Sequence, residues 1–410
     1  MQAPRLATLR RQAQLPSTGL PASVLFAAFV LVADGAHAAL QARGGGLVYD
    51  TELNVTWLAD ANFAASELTA ARVSEIVATA GPIAGHALSA AEFLHDDSGA
   101  FNGRMTWWAA MAWTEQLVYY NSAYGVSYSD WRLPRSAGPD PTCKTLAGAA
   151  RTDGLGFSCT GGELGHLFYS ELGGTAALSW GSLATGTDPD LQQFSNLRLD
   201  FYHYADAAVA CPNMPGADCG VYFSLYSGIQ WATGKAQFNY VLPVLDGDVA
   251  LRDTDGDGLT DPAEAATGTN PNLADTDHDG LVDGAGGVVP IGSVSAGIDS
   301  NQDGFADGEQ DFGTDPRKTD SDADGSPDGI EILHGSNPLD RYSLPAPADG
   351  DLAPYGYPDG NIDAADVLIA MRIVAGQLMP RVPQYAHGDM NMDGMIDLSD
   401  LAVILRQALE

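Results

Sequence analysis

Four short loops in the C-terminal half of the chain place an acidic or amide side chain at every second position, followed by a glycine. They begin at Asp253, Asp275, Asp299 and Asp320, so successive loops start 22, 24 and 21 residues apart. This spacing is too regular for a linker and indicates a repeat architecture. Because close carboxylates repel one another and a divalent cation removes that cost, the loops predict a segment that folds around bound cations.

The loops fit the ligand pattern of calcium. Calcium takes six to eight oxygen ligands, and a twelve-residue loop supplies them from positions 1, 3, 5, 7, 9 and 12, with a glycine at position 6. The first and fourth loops have acids at positions 1, 3, 5 and 9 and end in glutamate. Their predicted ligands are Asp253, Asp255, Asp257, Asp261 and Glu264 in the first loop, and Asp320, Asp322, Asp324, Asp328 and Glu331 in the fourth.

The two middle loops lack an acid at position 12, where Gly286 and Gln310 stand. Their predicted ligands are Asp275, Asp277, Asp279 and Asp283 in the second loop, and Asp299, Asn301, Asp303 and Asp307 in the third. Glu309 or Asp311 could substitute for the missing acid. The middle loops are therefore either incomplete sites or sites that a neighbouring repeat completes.

Two of the loops are trailed by the strings GTNP (Gly268–Pro271) and GTDP (Gly313–Pro316). With these strings, residues 251–340 resemble thrombospondin type 3 repeats. The resemblance implies calcium-bound loop repeats that act as an acidic stalk.

After a Pro/Ala-rich linker at 341–348, two further acidic loops are each followed by an apolar helix. Their predicted calcium ligands are Asp351, Asp359, Asn361, Asp363 and Asp366 in one loop, and Asp389, Asn391, Asp393, Met395 (through its carbonyl), Asp397 and Asp400 in the other. Asp351 precedes Asp359 by eight residues instead of four, which leaves the first ligands of that loop open.

Two such loop–helix units within residues 349–410 resemble a type I dockerin. The resemblance implies a small all-α, EF-hand-like module that docks onto a cohesin-like scaffold protein. The positions that contact the partner in that family hold Ala364-Ala365 and Leu398-Ser399 here, which departs from the hydroxyl pairs of many members. The alternative is a calcium-folded C-terminal cap without a partner.

Residues 40–250 are rich in aromatic residues and predict an α+β domain. Leu47–Tyr49 and Val55–Leu58 read as paired strands, residues 107–117 as a helix, and residues 222–225 and 238–242 as late strands. The strings LVYD, SDWRLP (Ser129–Pro134) and ELGHLF resemble the C-terminal domain of Lcl-type collagen-like adhesins, grouped with C-type-lectin-like folds. This resemblance implies a lectin-like mixed domain with an extracellular glycan-binding or adhesion role.

No catalytic constellation is recognisable in this domain. Asp60, Glu163, Glu171 and Asp200 could serve glycoside hydrolysis, but their spacing singles out no pair. His166 follows Glu163 at a metal-like spacing, although a capping or core histidine is the commoner case. We predict Trp108 and Trp231 as the ligand-binding aromatic residues.

Four cysteines allow three disulfide pairings, and we favour Cys143–Cys159 with Cys211–Cys219 because local loops close most readily. Residues 1–38 read as a secretory signal peptide with a basic start and an apolar stretch of ten. The expected product is a secreted or extracellular protein with no transmembrane anchor after cleavage. Such an oxidising compartment allows disulfides to form.

The formal net charge of −34 excludes nucleic acid as a partner and disfavours anionic membranes. Most of that charge lies after residue 245, at the predicted calcium ligands. The resulting hypothesis is a secreted calcium-binding protein with a glycan-binding or adhesion domain and a docking module. The alternatives are a component of a polysaccharide-degrading complex, with or without glycoside hydrolysis, and a purely structural surface protein.

Overall fold

The computed structural model describes residues 40–177, 183, 189–207, 211, 218–286, 290, 297–301 and 303–410. The predicted signal peptide at 1–38 lies outside these residues. Among the residues described, every helix is too short or too polar to traverse a bilayer.

Residues 40–250, called here the larger domain, contain all the described strands. The strands are β1 Leu40–Ala42, β2 Leu47–Asp50, β3 Val55–Leu58, β4 Phe93–His95, β5 Phe101–Met105, β6 Tyr119–Asn121, β7 Val126–Tyr128, β8 Phe201–Ala207, β9 Cys219–Ser224, β10 Gln230–Gly234 and β11 Val244–Asp246. They form an antiparallel sheet in the order β1-β2-β3-β11, a second sheet in the order β10-β9-β8, and the hairpins β4-β5 and β6-β7.

The helices are distributed over the whole described chain. They are α1 Phe63–Glu67, α2 Ala70–Thr79, α3 Trp107–Glu115, α4 Glu163–His166, α5 Asp261–Thr267, α6 Glu309–Phe312, α7 Asp328–His334, α8 Ala364–Val374, α9 Val382–Gly388 and α10 Leu398–Gln407. The mixed content confirms the α+β prediction. The helix expected at 107–117 forms as α3 and ends at residue 115.

The first sheet is buried on both faces, because successive residues of a strand point in opposite directions. Leu47 and Leu58 are register partners and pack in one core cluster with α2 and α3. The next pair, Val48 and Trp57, packs in another cluster with α4 and the second sheet. The first sheet is therefore the central layer of the domain.

Two sequence predictions for this domain have different outcomes. Both predicted disulfides, Cys143–Cys159 and Cys211–Cys219, are present. The prediction of a strand at 238–242 is wrong, because Asn239 and Tyr240 make only isolated bridges. The last described strand is β11. β11 pairs with β3 and thereby completes the first sheet.

The repeats from residue 253 to 340 have a different construction. Their one apolar cluster among the described residues is small and consists of Ala274, Val282 and Ala306. Helices α5, α6 and α7 are short, and each ends at a glycine in the left-handed conformation. So little apolar burial cannot order a segment of this length, and polar groups must hold it together.

Residues 349–410, called here the C-terminal module, pack around α8 and α10. Leu352, Ala370 and Ile404 form the buried centre of this contact. Helix α9 packs instead against α7 of the fourth repeat. The module is therefore in direct contact with the repeats.

Candidate metal centres

Every repeat loop is shaped by the carboxylate at position 1, which accepts backbone N–H groups from later in the loop. Asp253 accepts from Gly256 at 2.7 Å and from Gly258 at 3.0 Å. The glycine at position 6 donates equivalently at 3.0 Å to Asp275, at 3.1 Å to Asp299 and at 2.8 Å to Asp320. The four glycines at position 6 have φ between 91° and 107°, which explains why this position needs glycine.

The carboxylate at position 9 closes each loop by accepting the backbone N–H of the residue at position 2. The N–H to oxygen distances are 2.9 Å from Thr254 to Asp261, 2.8 Å from Thr276 to Asp283, 2.7 Å from Ser300 to Asp307 and 2.9 Å from Ser321 to Asp328. All four position-9 side chains are buried. These residues therefore fix the loop shape in addition to being predicted ligands.

The first centre is a group of acids from two repeats: Asp255, Asp257 and Glu264 of the first, and Asp283 of the second. One oxygen of Asp257, Glu264 and Asp283 each lies within 4.8 Å of the others. Both oxygens of Glu264 and Oδ2 of Asp257 are buried without a hydrogen-bond partner. Burial and the neighbouring carboxylates raise the pKa of Glu264 to about 9 and that of Asp257 to about 7.

Such an arrangement is costly for the protein alone. Buried carboxylates without donors or counter-charges resist ionisation, which is what the raised pKa values express. A cation at this point would supply the missing charge to all of them at once.

The second centre contains Asp277 and Asp279 of the second loop with Glu309 of the third repeat. A parallel bridge between Val282 and Gly308 brings Glu309 to this place, and the N–H of Glu309 donates to the Val282 carbonyl at 2.9 Å. Glu309 is 1 % exposed and its Oε2 has no hydrogen-bond partner. This is the arrangement expected if a neighbouring repeat completes the second loop.

The pKa values of the second centre follow the same rule. Burial, followed by the charges of Asp279, Asp277 and Asp328, raises the pKa of Glu309 to about 8. Burial also raises the pKa of Asp277 to about 6 and that of Asp279 to about 7. Asp311, the other candidate substitute, instead accepts the N–H of Gly286 at 2.7 Å.

The third and fourth loops differ in burial. In the fourth, Asp322, Asp324, Asp328 and Glu331 each have one buried oxygen without a partner, and burial raises the pKa of Glu331 to about 7. In the third, Asn301 and Asp303 are exposed, and the nearest glutamate faces the second centre. The third loop is therefore the poorest candidate of the four.

The two loops of the C-terminal module share the position-1 geometry. Asp389 accepts from Asp393 at 3.1 Å and from Gly394 at 2.8 Å. Asp351 accepts from Asp359 at 3.2 Å and also from Gly360, in spite of the four inserted residues. Asp351 thus occupies position 1, which the sequence left open.

At position 12 the module differs from the repeats. Asp366 and Asp400 are buried, but both oxygens of each accept backbone N–H groups. Position 9 holds Asp363 and Asp397, which cap α8 and α10. Within the described part of the module, no carboxylate oxygen is both buried and unpartnered.

The predicted aromatic ligand residues are both half-buried against polar neighbours. Trp108 stacks on His86 with the ring centroids 3.9 Å apart. The Arg151 guanidinium lies over the Trp231 ring, 5.2 Å from the ring centroid. Each ring thus has one face covered within the larger domain.

A shallow cleft of about 460 Å³ lies elsewhere on the larger domain, where no sequence pattern predicted a site. Ser129–Leu133 of the SDWRLP string line it, together with Glu115 and Arg135. Of the carboxylates considered for catalysis, Glu163 is held by Arg132 at 2.7 Å and Glu171 by His166 at 3.0 Å. Neither glutamate lines the cleft.

Two segments of the chain, residues 253–274 and 320–341, match the family described as Bacterial TSP3 repeat. They hold the first and fourth loops, the two that end in their own glutamate. The thrombospondin type 3-like part of the sequence prediction is confirmed for these segments, and with it a calcium-binding type of repeat. No curated protein and no solved structure is significantly similar to the chain.

Proposed function

We propose that the chain is a secreted, modular calcium-binding protein whose repeats hold calcium in centres shared by neighbouring repeats. The first centre carries this proposal, because buried carboxylates from two repeats converge there, and the oxygens of Glu264 and Oδ2 of Asp257 have no protein partner. Oxygen-only ligands suit calcium, whereas softer metals prefer nitrogen or sulfur. The two disulfides support an oxidising, extracellular compartment.

Calcium titration of the full chain tests this function. Extracellular calcium modules bind with dissociation constants of roughly 10⁻⁴–10⁻³ M. At about ten times the dissociation constant, each site adds about 1.4 kcal/mol to the free energy of unfolding. We expect chelator-treated protein to gain thermal stability with millimolar calcium, and less so with magnesium.

A pair of matched variants locates the effect. Glu264→Gln keeps the side-chain size but removes a charge from the first centre, and should weaken the calcium response. Glu75→Gln on α2 is the control, since Glu75 is 61 % exposed and lies outside every loop. A melting temperature that is indifferent to calcium in the unmodified chain would refute the proposal.

The docking role of the C-terminal module is a finer part of the proposal. It is supported by the shared loop geometry, by the packing of α8 on α10, and by exposed apolar residues such as Leu398 at 70 % and Met395 at 58 %. Calorimetry with a purified type I cohesin should show binding in calcium and none in chelator. Leu398→Asp should abolish it, while Leu251→Asp, equally exposed but outside the module, should not. If the cohesin does not bind in the presence of calcium, the alternative of a calcium-folded C-terminal cap without a partner is favoured.

Glycan binding or adhesion by the larger domain is proposed on the cleft lined by the SDWRLP string. Its Arg135, 59 % exposed, and Glu115 offer hydrogen bonds to sugar hydroxyls. A glycan array with the full chain tests this, and Arg135→Ala should reduce any signal. Release of reducing sugar from a bound polysaccharide would favour the polysaccharide-degrading alternative. The absence of a signal in both the glycan array and the reducing-sugar assay would favour a purely structural surface protein.

A further inference from the structure

A buried histidine of the larger domain lies among carboxylates that come from separate elements. Its Nε2 is 3.0 Å from Glu171 Oε1, 3.5 Å from Glu52 Oε2 and 3.9 Å from Asp50 Oδ2. This residue is His166, the last residue of α4, whereas Asp50 ends β2. One ligand atom of Asp50, His166 and Glu171 each lies within 4.8 Å of the other two.

The local backbone explains how His166 and Glu171 meet. Residues 167–171 continue α4 as a π-helical turn, in which residues five apart share one face. His166 and Glu171 have this separation. An ordinary α-helix would direct the two side chains to different sides.

The cluster contains more negative charge than one imidazole can neutralise. The side chains of Asp50 and Glu171 are 0 % and 1 % exposed, and Asp50 Oδ2 and Glu171 Oε2 are buried without a hydrogen-bond partner. Unpartnered buried oxygens of this kind cost free energy unless a cation or a proton reaches them. Burial and the charges of Asp50, Asp190 and Glu52 raise the pKa of Glu171 to about 8.

Neighbouring backbone N–H groups hold the Asp50 carboxylate in a fixed orientation. Asp50 Oδ1 accepts the N–H groups of Glu52 at 3.1 Å and Leu53 at 3.0 Å, which leaves Oδ2 directed at the histidine. The Glu52 side chain is 56 % exposed, so it lies between the cluster and solvent. It could deliver an ion and then act as a fourth ligand.

We propose that Asp50, His166 and Glu171, with Glu52 at the solvent side, bind a first-row divalent transition ion such as zinc. An imidazole nitrogen combined with two or three carboxylates suits zinc or manganese better than calcium, which prefers oxygen alone. The site is distinct from the calcium centres in its donors and its place in the fold. Its ion would tie the end of β2 to the π-helical turn after α4.

The test uses the untagged full chain, freed of metal and then saturated with calcium so that the loops are occupied. Zinc should raise the melting temperature and bind with one equivalent more than in His166→Ala. Cobalt in place of zinc should give visible ligand-field absorption that His166→Ala lacks. His86→Ala is the matched control, because His86 contacts a single carboxylate, Glu92 at 3.0 Å, and should leave both signals intact.

Glu171→Gln provides a second variant of equal size in case His166→Ala does not fold. It should lose the cobalt absorption while keeping its circular dichroism spectrum. The proposal is overturned if zinc and cobalt give no signal in the unmodified chain, or if both site variants retain it. It is equally overturned if Glu171→Gln is more stable than the unmodified chain and zinc stabilises neither, since a proton then occupies the cluster.

Discussion

Tyr128 donates a hydrogen bond from its hydroxyl to Oδ2 of Asp261 over 3.0 Å, across the boundary between the larger domain and the first repeat. Both side chains are buried, and the same Asp261 oxygen accepts the Thr254 hydroxyl at 3.0 Å. The residue that closes the first repeat loop is therefore also fixed to the core of the domain. The repeats begin as an extension of that core and not as a free linker.

Tyr128→Phe should lower the free energy of unfolding by about 1.5–3 kcal/mol, because it removes a hydrogen bond to a charged, buried group. Urea unfolding in calcium measures this. Tyr120→Phe is the control, since Tyr120 is 62 % exposed, and it should change little. Equal effects of the two substitutions would contradict a role for the Tyr128–Asp261 contact.

Glu309→Gln should remove one equivalent of bound calcium, because Glu309 supplies the second centre from the third repeat. Gln310→Ala should leave the calcium stoichiometry unchanged, because Gln310 is exposed. This is expected even though Gln310 stands at position 12 of the third loop. Calorimetric titration distinguishes the two. A loss of calcium in Gln310→Ala and not in Glu309→Gln would show that the linear register holds and the shared centre does not.

The calcium-free chain should lose stability as the pH rises from 7 to 9. The pKa values of Glu264 and Glu309 are raised to about 9 and about 8, so the folded state holds protons that the unfolded state has already released. Stability therefore falls with pH across this window. Melting temperatures at pH 7 and 9 in chelator check the sign, and Glu264→Gln should flatten the slope. Calcium affinity should rise over the same range, because calcium displaces these protons.

Asp351→Ala should prevent the calcium-dependent rise in helical circular dichroism that we expect from the C-terminal module. The reason is that Asp351 occupies position 1 in spite of the inserted residues. Tyr357→Ala, 82 % exposed within the insertion, serves as the control. Should Asp351→Ala respond to calcium as the unmodified chain does, the first C-terminal loop does not depend on this residue.

Local sequence patterns and short loop closures sufficed to predict features whose residues are close in the chain. The hairpin of β2 and β3, both disulfides and the individual loops are of this kind. The place of Glu309 was not predictable, because it depends on a bridge between Val282 and Gly308, and no local pattern encodes that contact. The partner of His166 was missed for another reason: helical spacing pointed to Glu163, whereas a π-helical turn selects Glu171.

If the proposed centres bind calcium, the sharing of acids between repeats would affect how the segment 253–340 responds to a pulling force. Asp283 belongs to the second repeat yet faces the first centre, and Glu309 belongs to the third yet faces the second. A pulling force on the chain would therefore act on metal–oxygen bonds before it could extend the backbone between repeats. The tensile strength of the segment would then follow the free calcium concentration outside the cell, and ions would be lost from adjoining repeats together.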